Sequence, residues 1–357
     1  MAGRSFASRV IAWQRRHGRH DLPWQGSRDP YRIWIAEVML QQTRVATVIP
    51  YYRRFVTRFP DVTALAVAAE DEVLRYWAGL GYYSRARNLW RAASAVVARH
   101  RARVPAAYQD LLELPGIGRS TAAAIAAFAA GERRAILDGN VKRVLARHRG
   151  VRGWPGERPV QERLWSLAEA ALPGRGIEVY TQGLMDLGAM LCHARAPDCG
   201  RCPVADDCVA RAAALCAVIP AARPRRAPPE RALRWLVLLD AGRVLLEKRP
   251  PSGVWAGLWS LPEAEPGDDP AAQARQRFGV SVAQAFTLEQ VRHGFTHYRL
   301  VIEPWVAVVR RRRLVAAEPG SDWPTLAEAA RAAVPAPVRD LLERLANGAG
   351  NRKTASR

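Results

Sequence analysis

Between Ile219 and Glu230 the chain reads IPAARPRRAPPE, and no regular element can run through it. Pro220, Pro224, Pro228 and Pro229 lack the amide hydrogen that a helix or a central strand needs, so the stretch is a linker. The text differs on its two sides. Residues 1–218 read as mostly helical, broken by short loops at Pro23, Asp29-Pro30, Pro60, Gly79–Gly81, Pro105, Pro115–Gly118 and Pro173–Gly176. After the linker, LRWLVLLDAGRVLLEKR reads as a β-hairpin around Asp240-Ala241-Gly242. Strand-like segments follow at 295–300 and 305–309, with helices at 270–278 and 336–345. The expectation is a multi-domain chain: an all-α domain over 1–218, a linker over 219–230, an α+β domain over 231–346, and a polar, frayed tail over 347–357.

Charge limits the partners. The net charge is +21, divided as +13 over residues 1–218 and +8 over 219–357. Both parts are basic, so a polyanion is the expected partner. No apolar run approaches the length of a membrane span. Met1–Arg16 reads as an amphipathic helix rather than a signal peptide. A soluble cytoplasmic protein with no membrane partner is expected.

The stretch Leu114–Asn140, LPGIGRSTAAAIAAFAAGERRAILDGN, carries two features that chemistry on DNA needs. Pro115-Gly116-Ile117-Gly118 is a tight hairpin leading into an Ala-rich helix. Gly116 and Gly118 let the main chain approach a bulky anion, and the free N–H groups of the next helix then point at it. A phosphate is the natural occupant. Some twenty residues on, Asp138 stands at the mouth of another helix. A second carboxyl lies upstream. Asp29 and Pro30 open a helix in which Glu37 is the only charge between Ile33 and Leu40. A lone carboxyl in apolar surroundings is destabilised as an anion, so its pKa rises, which suits a general acid at neutral pH. Gln41, Gln42 and Thr43 follow with groups able to contact base edges. The turn Gly79-Leu80-Gly81-Tyr82-Tyr83 and the arginines after it suit stacking and phosphate contact.

Cys192, Cys199, Cys202 and Cys208 are spaced C-x6-C-x2-C-x5-C. Four thiols so close in a cytoplasmic chain argue for metal rather than disulfides. Zinc and an iron–sulfur cluster both accept four cysteines. The spacing is not a pair of CxxC knuckles, which favours a [4Fe–4S] cluster. Cys216 is left over.

Together these residues resemble the adenine DNA glycosylases, the MutY family. The matching stretches are AEVMLQQT from Ala36, GLGYYSRARN from Gly79, LPGIGRSTAA from Leu114, DGNVKRVLAR from Asp138, MDLG from Met185, the cysteine loop, and GFTH from Gly294. The resemblance implies an all-α helix-hairpin-helix glycosylase core, with the hairpin unit over about residues 106–130 and a [4Fe–4S] loop over 192–208, followed by an α+β Nudix-like domain. It implies double-stranded DNA holding 8-oxoguanine:adenine or guanine:adenine pairs as partner. The enzyme would remove adenine as a monomer, and the cell would be of bacterial type, with the protein at the nucleoid. By the same likeness Glu37 protonates the adenine, Asp138 stabilises the sugar cation and Asn140 assists. Trp24 and Gln182 line the adenine pocket, Gln42 and Tyr82 enter the helix beside the pair, and Phe295, Thr296 and His297 contact the oxidised guanine.

Two departures sharpen this reading. Relatives that also cut the backbone carry a lysine where this chain has Ser120, whose hydroxyl cannot form an imine. A monofunctional enzyme with little or no lyase activity is expected, with Lys142 the nearby amine. Residues 247–263 look like the start of a Nudix domain, but AEPGDDPAAQARQRFG lacks the glutamates that pyrophosphate hydrolysis requires. The rival readings are an endonuclease III-like lyase for oxidised pyrimidines, a non-catalytic iron–sulfur DNA-binding protein, and an oxidised-nucleotide hydrolase.

Overall fold

The computed structural model describes residues 5–224, 228–295, 298–312 and 320–348. It divides into two compact units: Met1–Ala68 with Ser84–Arg225, and Ala69–Tyr83 with Arg226–Arg357. The described elements of the first are all helices, and the second carries the sheets. A helical core is thus joined to a sheet-containing C-terminal part. The expected fold class needs one correction. Among the described residues no group of three or more His, Cys, Asp or Glu is placed to hold a metal ion, so a metal-cluster loop is not part of the architecture.

In the first unit the helix Pro30–Leu40 is apolar almost all round. It buries Tyr31, Ile33, Trp34, Ile35, Ala36, Val38 and Met39, as a central helix must. Asp29 caps it, accepting from the Tyr31 N–H at 3.0 Å, and Pro30 fits the first turn. Its C-terminal carbonyls meet one buried guanidinium: Arg85 donates to Val38 O at 2.9 Å, to Met39 O at 3.0 Å and to Gln41 O. The helix packs against the Ala-rich helix Arg119–Ala130. That helix buries Ala122 through Ala127 and stops at Gly131, whose φ of 66° is left-handed. The helix Phe6–His17 lies close along Ile177–Met190. Gly183 makes the approach possible, since a Cβ there would lie 2.8 Å from Val10 Cγ1 and 3.0 Å from Gln14 Cβ.

The second unit holds strands β1 (Glu230–Asp240), β2 (Arg243–Val244), β3 (Leu246–Lys248), β4 (Trp259–Ser260), β5 (Glu263–Ala264), β6 (Val280–Thr287), β7 (Val291–Gly294), β8 (Arg299–Arg312) and β9 (Ser321–Asp322). The larger sheet runs β2-β1-β8-β6, with β5 on β1 and β7 on β8; the smaller runs β4-β3-β9. β1 and β8 are parallel and the other pairs antiparallel. The hairpin after Asp240 turns through Ala241 and Gly242, both at positive φ. β8 is one strand where the sequence reads as two segments. Its residues 299–302 pair with β7 and its residues from Trp305 pair with β6. Pro304 sits at the changeover, where a missing N–H costs no ladder bond. The helix Pro270–Phe278 and Val280 close the core over Leu236, Leu238 and Ala307. Asp71 belongs to this unit and receives Lys248 Nζ and Trp259 Nε1.

Arg85→Met should leave several carbonyls at the end of the Pro30–Leu40 helix unpaired. Hydrogen bonds from a buried charge are worth about 1.5–3 kcal/mol each, less when lost as a group. A loss of roughly 3 kcal/mol in denaturant unfolding is expected, and a loss under about 1 kcal/mol would contradict this role.

Candidate active site and nucleic-acid interface

The helical unit contains a cavity of about 680 Å³ lined by residues that include Trp24, Ile33, Glu37, Phe128 and Gln182. The Pro30–Leu40 helix presents Ile33 and Glu37 to it one turn apart. The size is ample for a planar base together with part of its sugar. Glu37 is half-buried, and burial away from water, with the nearby Asp138 carboxylate adding to it, pushes its pKa up to about 8. A protonated carboxyl thus faces this cavity at neutral pH. Trp24 is held by edge-on packing against Tyr52, with ring centroids 5.3 Å apart.

Asp138 caps the helix Gly139–Arg149, accepting from the Val141 N–H at 2.7 Å. Burial raises its pKa, while hydrogen bonds from Val141 and Asn140 and the charge of Arg143 pull the other way. Asp138 therefore has donors arranged for an anion, and the causes acting on Glu37 only raise its pKa. The two carboxyls are thus unlike: burial raises both, but only Asp138 has hydrogen-bond donors and a cation that favour its anion. Its position is set from outside its own helix. The Ser120 hydroxyl accepts from the Leu137 N–H at 2.9 Å, so Ser120 fixes the residue before Asp138. Asn140 Oδ1 accepts from Arg143 at 2.8 Å, and the same guanidinium donates to Gly188 O at 2.7 Å and Cys192 O at 2.6 Å. Gly188 cannot carry a side chain, because a Cβ would lie 2.4 Å from Asn140 Cβ. Lys142 is close enough to Asp138 for its charge to act on the amine, whose pKa burial nevertheless lowers.

Behind Gln182 lies a charged group that sequence reasoning did not single out. Asp186 is fully buried. It accepts from the Arg19 backbone N–H at 2.9 Å, from Arg19 Nε at 2.8 Å and from Gln182 Nε2 at 2.8 Å. Arg19 and Asp186 are an ion pair at 2.7 Å. Gln25 donates to Arg19 O at 2.9 Å and holds the loop in place.

The residues expected to meet DNA lie around this centre and in the second unit. The hairpin is a tight turn between the helices Tyr108–Leu112 and Arg119–Ala130. Gly116 has φ of 79° and packs on Asn88, 2.6 Å from where a Cβ would stand. Gly118 precedes the second helix with no side chain capping the helix N–H groups, which leaves them available to an anion. Gln41 donates to Thr121 at 3.1 Å, and Thr43 accepts from Arg85 at 3.1 Å. Gln42 is exposed with φ of 58°, a conformation that non-glycine residues hold at a cost. In the sheet-bearing unit Tyr82 has φ of 48° and is 49% exposed, whereas Leu80 is buried. Phe295 packs against Trp255, His293 and Tyr298. Thr296 and His297 lie outside the described residues.

The expected [4Fe–4S] cofactor is corrected by the cysteine loop. Cys192, Cys199, Cys202, Cys208 and Cys216 line one small cavity of about 30 Å³. Yet among the described residues no three possible ligands are placed to hold a metal ion. The loop closes on an arginine instead. Arg147 donates to Cys192 Sγ at 3.3 Å and to the carbonyls of His193, Ala194 and Ile219. Burial pushes the Cys202 thiol up to about 11 and raises Cys208 as well. The residues as placed do not fit the cluster.

Comparison with known proteins first defines a class. Residues 35–170 match the HhH-GPD superfamily of base excision DNA repair proteins, and residues 234–344 match the NUDIX domain family. Residues 192–208 match the iron-sulfur binding domain of endonuclease III, so that pattern is present in the sequence although the geometry above does not assemble it. A thermostable thymine-DNA glycosylase superposes with a TM-score of 0.53 at 30% identity, over 58% of this chain and 95% of its own. The adenine DNA glycosylase of Buchnera aphidicola from Acyrthosiphon pisum is 31% identical over 84% of this chain and 85% of its own length. The adenine DNA glycosylase of Homo sapiens is 32% identical over 92% of this chain and 72% of its own. The chain belongs to the adenine DNA glycosylase family.

The raised Glu37 pKa has a consequence for stability. The folded protein binds this proton more tightly than the unfolded chain, so the stability tied to it is full below the ordinary carboxylate range. It is lost as pH rises toward about 8. Glu37→Gln should therefore gain in melting temperature over wild type as pH rises from about 5 to about 8. A difference that does not change with pH would contradict the burial of this carboxyl.

Proposed function

We propose that this protein removes adenine from mispairs in double-stranded DNA by hydrolysing the N-glycosidic bond, with Glu37 as general acid and Asp138 as electrostatic partner of the sugar. The observation that carries the reading is a pair of unlike, electrostatically coupled carboxyls: Glu37, which lines the cavity and has its pKa near 8, and Asp138, whose charge acts on Glu37 and which has donors arranged for an anion. The excision of adenine follows from family membership. The residue roles are our assignment.

The target adenine must leave the stack to reach the cavity. Trp24 and Gln182 then bound it, and Glu37 donates its proton to the base as the C1′–N9 bond breaks. The base leaves with the bonding electrons and that proton. Positive charge develops on the deoxyribose, and the Asp138 carboxylate stabilises it. Water adds to C1′ and gives up a proton, which restores Glu37. Ser120 offers no amine, so the product is an abasic site with the backbone intact. The N–H groups after Gly118 hold the phosphate backbone, and exposed Gln42 and Tyr82 reach the bases. The C-terminal unit supplies the choice of opposite base, 8-oxoguanine, through the segment that begins at Phe295.

Adenine release from a duplex holding an 8-oxoguanine:adenine pair tests this. Asp138→Asn and Glu37→Gln should each slow single-turnover release by about 10²–10⁴-fold. The rate should hold through neutral pH and fall as pH rises through about 8, where Glu37 loses its proton. No release by wild type, or undiminished release by Asp138→Asn, would refute the reading.

A further inference from the structure

Gln182 lines the cavity, and its amide could face the base in either of two ways. The structure settles which. Nε2 donates to Asp186 Oδ1 at 2.8 Å, and an ionised carboxylate only accepts. The reverse orientation would set the amide oxygen against a buried carboxylate. Asp186 cannot turn away, since Arg19 occupies both of its oxygens, through the backbone N–H on Oδ2 and the guanidinium on Oδ1. It is also closely enclosed: a Cβ at Gly18 would lie 2.9 Å from Asp186 Oδ2. Gln182 Oε1 makes no hydrogen bond among the described residues.

We propose that Asp186 is a positioning residue for specificity: it locks Gln182 so that the cavity presents an acceptor, which favours a purine with an amine at C6 over one with a carbonyl there. The proposal rests on the adenine reading above. Adenine donates from its exocyclic amine to Oε1. Hypoxanthine has an oxygen at that position, and two acceptors would face each other. Mispaired acceptors of this kind discriminate, because the hydrogen bond made to adenine is replaced by a repulsive contact.

Single-turnover excision of adenine and of hypoxanthine, each opposite 8-oxoguanine in the same duplex, tests this. Wild type should favour adenine. Asp186→Asn brings an amide that can both donate and accept, so Gln182 is free to turn over, and the adenine-to-hypoxanthine rate ratio should fall by about tenfold or more. A merely structural defect would slow both substrates alike and leave the ratio unchanged, and an unchanged ratio would overturn the proposal. Should Asp186→Asn fail to fold, Gln182→Leu removes the acceptor itself. It should reduce the ratio by a similar factor, and retention of the wild-type ratio would overturn the proposal equally. Wild type that releases neither base would refute the adenine reading instead, which separates the two failures.

Discussion

Two carboxyls placed close together and away from water cannot both be ionised at modest cost, so one of them must keep its proton. The helical unit is built so that this choice is made in advance. Glu37 comes from a helix that is apolar almost all round and receives only influences that favour its neutral form. Asp138 comes from a helix N-terminus, where burial raises its pKa but backbone N–H groups and Arg143 act against that and favour the anion. The asymmetry belongs to the two helices before it belongs to the two side chains.

Several distant elements keep the pair in place. Arg85 gathers the last carbonyls of the Glu37 helix. Ser120, on the Ala-rich helix, holds the residue before Asp138. Arg143 ties Asn140 to the helix Ile177–Met190 through Gly188, and that helix also carries Gln182 and Asp186. Glu37, Asp138 and Gln182 therefore share one packed scaffold. A site built on packed helices holds its geometry better than one built on loops. The sheet-bearing unit has a basic sequence and a core of its own, and its helix Pro270–Phe278 has no carboxylate to offer a metal.

Much of this was legible in the sequence, for local reasons. Asp29 before Pro30 fixes a helix start by capping alone. Pro115 to Gly118 marks its turn by residue type, and the isolation of Glu37 among large apolar residues already announces a raised pKa. What was hidden depends on separation along the chain. Asp186 looks like any helical acid until Arg19, 167 residues away, closes on it. β8 reads as two strands because Pro304 interrupts the pattern, and only the sheet shows that the partner changes there. The cysteines are the reverse case. Their spacing matches an iron–sulfur family, but spacing measures distance along the chain: as folded, the loop gathers the cysteines around one small cavity beside Arg147, and among the described residues no group of three is placed to hold a metal ion.

The central claim is that Glu37 keeps its proton because it is buried beside a charged Asp138. Carbon-13 NMR of the glutamate side-chain carboxyls, titrated in wild type and in Asp138→Asn, measures this directly, with Glu37→Gln to assign the signal. The account expects one carboxyl titrating near 8, absent in Glu37→Gln and shifted downward, though still above the ordinary carboxylate range, in Asp138→Asn. A Glu37 signal that titrates within the ordinary range of about 4–5 in wild type would contradict it.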